Sequence, residues 1–156
     1  MNDLSDLRDL YEELILEHNR NPRNYPKKPG GTNHSAHGFN PLCGDEFQVH
    51  LEVADGMVKD VGFEGAGCAI STASASLMTQ AVKGKPVEEA EVLFENVRRV
   101  LTEEANQDTD DTSELLGKLS VLVGVKEYPM RVKCATLAWH TLHAALHDEQ
   151  GTVTTE

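Results

Sequence analysis

Cysteine is scarce, basic residues are outnumbered and long apolar runs are missing, and each shortage removes a class of protein. The three cysteines, Cys43, Cys68 and Cys134, are odd in number and widely spaced. That is a poor framework for secreted disulfides, so reduced thiols are expected. Lysine and arginine number 14 against 26 aspartates and glutamates, for a net charge of −12. Such a charge repels a phosphate backbone, and no basic patch with interleaved aromatics offsets it, so no nucleic acid partner is expected. A cation, or a protein with a basic face, is the better complement. No apolar run approaches the roughly 18 residues of a membrane span, and the acidic start MNDLSDLRDLYEE lacks the basic flank of a signal peptide. A cytoplasmic protein with no membrane association is expected.

What is present fits one α+β domain over residues 1–156, long enough to bury roughly two thirds of its unfolded surface. Leu4, Leu7, Leu10, Tyr11, Leu14 and Ile15 recur at helical spacing, with Asn2 or Asp3 available as a cap. The stretch NPRNYPKKPGG then forbids a continued helix. From about residue 34 the period becomes two, with Phe47, Val49, Leu51 and Val53 alternating with polar residues. A turn at Ala54–Asp55–Gly56 leads to a strand carrying Val58, Val61 and Phe63, with a bulge expected near Lys59 and Asp60. Ile70, Ala73, Leu77, Met78 and Ala81 mark a helix ending at Gly84, and Pro86–Leu101 marks another that buries Val92, Leu93, Val97 and Val100. An acidic insert over about 102–114 is expected to be a solvated loop, and the apolar LLGKLSVLVGV behind it a buried helix or turn. A last helix opens near Pro129 with Cys134, Leu137, Ala138, Thr141, Leu142 and Ala145 on one stripe, and the tail, about 148–156, is expected to fray. The sum is a small three-stranded antiparallel sheet packed against about five helices.

Taken singly, each cysteine could be a buried structural thiol. Their contexts differ from that of an ordinary core residue. Cys43 stands in the Pro/Gly turn NPLCGD, Cys68 follows GFEGAG at a helix start where the macrodipole favours a thiolate, and Cys134 lies near the start of the last helix. With Asp45 the set offers three sulfurs and one oxygen, enough for a closed tetrahedral site suited to Zn²⁺ or to the iron of an iron-sulfur cluster. No C-x-x-C pair occurs, so spacing alone leaves both readings open.

In chain order, NPLCGD at 40–45, GAGCAISTASASLM at 65–78, VKGK at 82–85 and MRVKCATLAW at 130–139 resemble the iron-sulfur assembly scaffold superfamily, the IscU and NifU N-terminal family. The resemblance runs from the first helix to about residue 147. Two departures narrow it. Scaffolds of the IscU type carry a ligating histidine before the last cysteine, where this chain has Lys133, and the segment 102–124 is longer than in that type. Both features resemble the SufU type.

That resemblance implies a zinc ion held by Cys43, Asp45, Cys68 and Cys134, sulfur accepted from a SufS-type cysteine desulfurase, and delivery to a downstream iron-sulfur assembly complex. Cys43 is the expected acceptor, since its turn can move at little cost while Cys68 and Cys134 are tied to helices. The resemblance further implies that a desulfurase histidine takes the vacated zinc position. Arg131 and Lys133 flank the site, and either surface solvation or contact with thiolates or partner suits them. His140, His143 and His147 could chelate a metal, but lie opposite the Cys134 to Ala145 stripe and are expected to face solvent. Two further classes remain: a scaffold that builds a [2Fe-2S] cluster on the same four side chains, and a purely structural zinc domain, disfavoured because structural sites rarely place a ligand on so mobile a turn.

Overall fold

The computed structural model describes residues 3–41, 44–102, 129–147 and 152–154. Helix α1 (Asp3–Arg20) is followed by the strands β1 (His34–Asn40), β2 (Asp45–Ala54) and β3 (Met57–Ala66), the helices α2 (Ala69–Val82), α3 (Val87–Thr102) and α4 (Pro129–Leu146), and a short strand β4 (Thr152–Thr154). The sheet order is β3-β2-β1-β4. The first three strands form the expected antiparallel meander, and β4 adds a parallel pairing to β1 through His37↔Thr152 to Phe39↔Thr154. Residues 152–154 therefore depart from the frayed tail the composition suggests, because β1 offers them a free edge. Four helices are described; the fifth expected element, within 115–125, and the acidic insert beyond Thr102 lie outside the described residues.

Alternation sets which face of the sheet is buried. Phe47, Val49 and Leu51 from β2 and Val58, Val61 and Phe63 from β3 are almost wholly buried. Val58 and Val61 are an odd number of residues apart, yet share a face. The register explains this, since Val53 pairs with Val58 and Glu52 with Asp60, leaving Lys59 as the extra residue of a bulge. Asp55 and Gly56 both take positive φ, as a two-residue I′ hairpin turn requires.

Helix α4 is the centre of the molecule and packs against β1, β2, α2 and α3. Its expected stripe is buried throughout, and so are Ala135, Trp139 and Ala144 outside the stripe. Close approach of β1 needs a glycine, because a Cβ on Gly38 would collide with Thr141 Oγ1 of α4. Helix α2 lies between α1 and α4 and presents small polar residues to both. Ser74 Oγ donates to Ala135 O at 2.6 Å, and His18 Nδ1 meets Ser76 Oγ at 2.7 Å. Helix α3 covers the remaining side of α4 with Ala90, Phe94, Val97 and Leu101. Val92, expected in the core, is instead 55% exposed. The apolar face of α3 is centred on Ala90, Phe94 and Val97, and Val92 points away from it.

Candidate metal centre

Three of the four expected ligands are described, and the fold brings them together. Asp45 opens β2 and is buried, Cys68 caps α2, and Cys134 is buried in the second turn of α4. One ligand atom from each lies within 4.8 Å of the others. Cys43 and Leu42 lie outside the described residues. In the chain they fall between Asn40 and Asp45, which pair directly across β1 and β2, and Gly44 takes φ 77° as it leads into β2.

Local backbone chemistry explains the placement of Asp45 and Cys68. After β3 the chain must bend sharply to start α2. Gly65 takes φ 120°, and a Cβ on Gly67 would come within 2.9 Å of Phe47 Cζ and 3.1 Å of Asp45 Oδ1. Only glycine fits this cradle. Cys68 then adopts the extended backbone of an N-cap (φ −71°, ψ 173°), and its Sγ accepts from the Ser71 N–H at 3.4 Å. The Cys68 N–H donates to Asp45 Oδ1 at 2.9 Å, and the Ser71 hydroxyl donates to Asp45 Oδ2 at 2.6 Å. Two potentially anionic groups thus meet the positive end of a 14-residue helix.

Ser71 was not among the residues the motifs single out, although it is part of GAGCAIS. Its position three residues after an N-cap is the signal that could have found it. Besides Asp45, its Oγ lies 3.1 Å from Cys134 O and 3.5 Å from Cys68 Sγ, so it touches all three candidate ligand residues. Asn40 is a second addition, with its Nδ2 3.9 Å from Cys134 Sγ. Lys133 is half-buried, and among the described residues no hydrogen bond or ion pair joins its ammonium group to the cluster. Arg131 belongs to the first turn of α4. Of the three histidines expected to face solvent, His147 is exposed, but His140 and His143 are half-buried because α3 covers that side of α4. His140 packs edge-on against Phe94, and His143 stacks on it.

Burial of a carboxylate and two thiols together is costly unless they are neutral or share a cation. Cys68 Sγ and Asp45 Oδ2 are 3.9 Å apart. Ligands of a tetrahedral zinc with bonds of 2.0–2.3 Å are spaced about 3.3–3.8 Å apart, so small rotations would bring this set onto one ion. The donors fit zinc, and the Ser71 hydroxyl and Cys68 N–H would orient the carboxylate as outer hydrogen bonds do in metal sites.

The protein-family comparison matches the NifU-like N terminal domain over residues 10–135. A zinc-dependent sulfurtransferase, SufU, of Bacillus subtilis is 38% identical over 149 residues, covering 94% of this chain and 96% of that one. The iron-sulfur cluster assembly scaffold protein IscU of Thermotoga maritima is 39% identical over 137 residues, covering 88% and 92%. The crystal structure of a SufU protein of the SUF system from Fervidobacterium islandicum superposes with a TM-score of 0.76 at 32% identity, over 86% of this chain and 94% of that one. The fold is therefore shared over nearly the whole length, and the chain belongs to the NifU-like N-terminal domain family of iron-sulfur cluster assembly proteins.

Proposed function

We propose that this protein is a zinc-dependent sulfur acceptor and relay that takes persulfide sulfur from a SufS-type cysteine desulfurase and passes it to a downstream iron-sulfur assembly complex. The observation that carries the proposal is the convergence of Asp45, Cys68 and Cys134 within 4.8 Å, with Asp45 and Cys134 buried and Asp45 two residues along the chain from Cys43. Lys133 in place of a ligating histidine and the similarity to a zinc-dependent sulfurtransferase support the relay over the scaffold. Cys43, Asp45, Cys68 and Cys134 would hold the metal, with Arg131 and Lys133 beside it toward thiolates or partner. Zinc, when bound, keeps thiolates deprotonated at neutral pH and adds no redox chemistry of its own.

Cys43 is the acceptor. Its thiolate attacks the outer sulfur of the desulfurase persulfide, a new S–S bond forms at Cys43, the donor S–S bond breaks, and the desulfurase thiolate leaves with the electron pair. No external oxidant or reductant is needed. Asp45, Cys68 and Cys134 stay on regular elements throughout. The buried hydrogen bonds of Asp45 to the Cys68 N–H and Ser71 hydroxyl hold the remaining donors in place while the loop residue reacts.

The deciding experiment measures desulfurase turnover with and without this protein, alongside its metal content and the arrival of labelled sulfur. A relay purifies with one colourless zinc per chain, stimulates turnover and loses label in Cys43→Ser. Normal labelling of Cys43→Ser excludes the mechanism. A brown cluster assembled on the same residues, without stimulation, would favour a scaffold role like that of the Thermotoga relative.

A further inference from the structure

A second group of ligand-type side chains lies on the opposite part of α4. Glu91 comes from α3, His143 comes from the last turn of α4, and His147 is the residue just after its end. Residues four apart on a helix share a face, and the His147 N–H continues the helical pattern by donating to His143 O at 3.2 Å. Glu91 Oε1 lies 2.5 Å from His147 Nε2 and 3.9 Å from His143 Nε2, and the three ligand atoms fall within 4.8 Å of one another. The imidazoles of His143 and His147 have their centroids 4.5 Å apart.

The group is built on rigid parts. Phe94, 5% exposed and one turn along α3 from Glu91, stacks under His143 at 4.5 Å and 16°. That platform fixes the plane of one imidazole, while Glu91 and His147 are about as exposed as surface side chains and can rotate inward. Two neutral imidazole nitrogens and one carboxylate oxygen suit borderline divalent ions such as Zn²⁺, Co²⁺ and Ni²⁺, and three protein ligands leave a position for water. Bonds of about 2.0–2.2 Å would space the ligand atoms about 3.3–3.5 Å apart, so the short Glu91–His147 contact opens and the His143 distance closes. His143 follows Cys134 by nine residues, about 13 Å along the helix axis, so the two groups cannot share an ion.

We propose that Glu91, His143 and His147 form a second divalent transition-metal site, one per chain, that clamps α3 onto α4 and keeps an open coordination position. It is independent of the cysteine site and of the sulfur chemistry. The test titrates Ni²⁺ calorimetrically into the full chain as purified, with its bound zinc and visible spectrum followed in parallel. One equivalent should bind with a Kd on the order of micromolar, raise the thermal midpoint, release no zinc and give no thiolate charge-transfer band. His147→Ala and Glu91→Gln change exposed side chains and should leave the fold intact by circular dichroism. Each should weaken nickel binding by more than about tenfold, the lower limit of losses seen when only outer-shell partners of a metal site are removed. His34→Ala, on the sheet, should change nothing. No binding below millimolar nickel, binding undiminished in His147→Ala and Glu91→Gln, or a thiolate charge-transfer band would each overturn the proposal.

Discussion

Helix α4 carries two metal-competent groups that differ in nearly everything except ligand spacing. The Asp45–Cys68–Cys134 group has Asp45 and Cys134 buried and Cys68 half-buried, draws on a strand start, a helix cap and a core position, and is surrounded by neutral donors. The Glu91–His143–His147 group is half-exposed, draws on two helix faces and rests on one aromatic ring. The difference teaches that proximity of ligands is cheap on any helix pair, whereas a buried site needs the backbone shaped around it. At the first group a glycine cradle, an N-cap and a serine hydroxyl all converge on one carboxylate. At the second, two surface imidazoles only have to turn toward an acid.

The largest effect separating the two should come from Cys134→Ser. Structural zinc binding of about 10–16 kcal/mol, shared among four ligands, assigns each about 3 kcal/mol, so zinc affinity should fall more than about a hundredfold. Chelator competition measures it. Nickel binding at Glu91, His143 and His147 should be unchanged, and a matching loss there would show that the two groups are not independent.

Ser71→Ala comes next. It removes the hydroxyl that donates to Asp45 Oδ2 at 2.6 Å but leaves the Cys68 N–H on Oδ1 at 2.9 Å. Outer-shell losses of this kind weaken metal binding by about 10–100-fold. Zinc retained at full affinity in this variant would mean that Asp45 is held by its backbone partner alone.

The contrast also explains what was legible in the chain. The proximity of Asp45, Cys68 and Cys134 was legible because each sits in a short motif, while Cys43 lies outside the described residues. The sheet was legible for the same reason: Asp55–Gly56 names its own turn, and the unpaired Lys59 restores the alternation of Val58 and Val61. Ser71 was missed because its role depends on Asp45, 26 residues earlier in the chain. His147 is exposed as its position opposite the apolar stripe suggests, whereas His140 and His143 are half-buried because Phe94 of α3 packs on that side of α4, which the stripe alone does not reveal. Val92 erred in the opposite sense, since hydrophobicity alone does not say which of two adjacent faces packs. The pairing of 152–154 with β1 needs knowledge of an open sheet edge that three residues cannot carry.

Without metal, the second group should contribute little to folding. His147 and Glu91 have side-chain exposures of 46% and 36%, and their ion pair needs a protonated imidazole. His147→Ala should change metal-free stability by no more than about 0.5 kcal/mol in chemical denaturation. A larger loss would mean that the α3–α4 contact already depends on this side chain, and the clamp would add less than proposed.

A third carboxylate calibrates both. Asp60 of β3 accepts from Lys27 Nζ at 2.7 Å and from the Val61 N–H at 2.9 Å, with Lys83 Nζ at 3.4 Å. Burial pulls its pKa upward, but the hydrogen bonds from Lys27 and Val61 and the charges of Lys27 and Lys83 outweigh that and leave it below the ordinary value. A carboxyl depressed in the folded state contributes stability above its unfolded pKa, and that contribution disappears as pH falls through the folded pKa. Asp60→Asn should therefore cost less than about 1 kcal/mol at pH 7, as expected of a partly exposed ion pair, and the gap from the parent should close below about pH 4. Because its charge is already matched by two ammonium groups, Asp60 should take up no nickel, unlike Glu91, whose partners are imidazoles that can deprotonate and ligate. A gap that widens on acidification would show that the Asp60 side chain acts through packing, and that a cation beside a carboxylate is not what separates a salt bridge from a metal site in this fold.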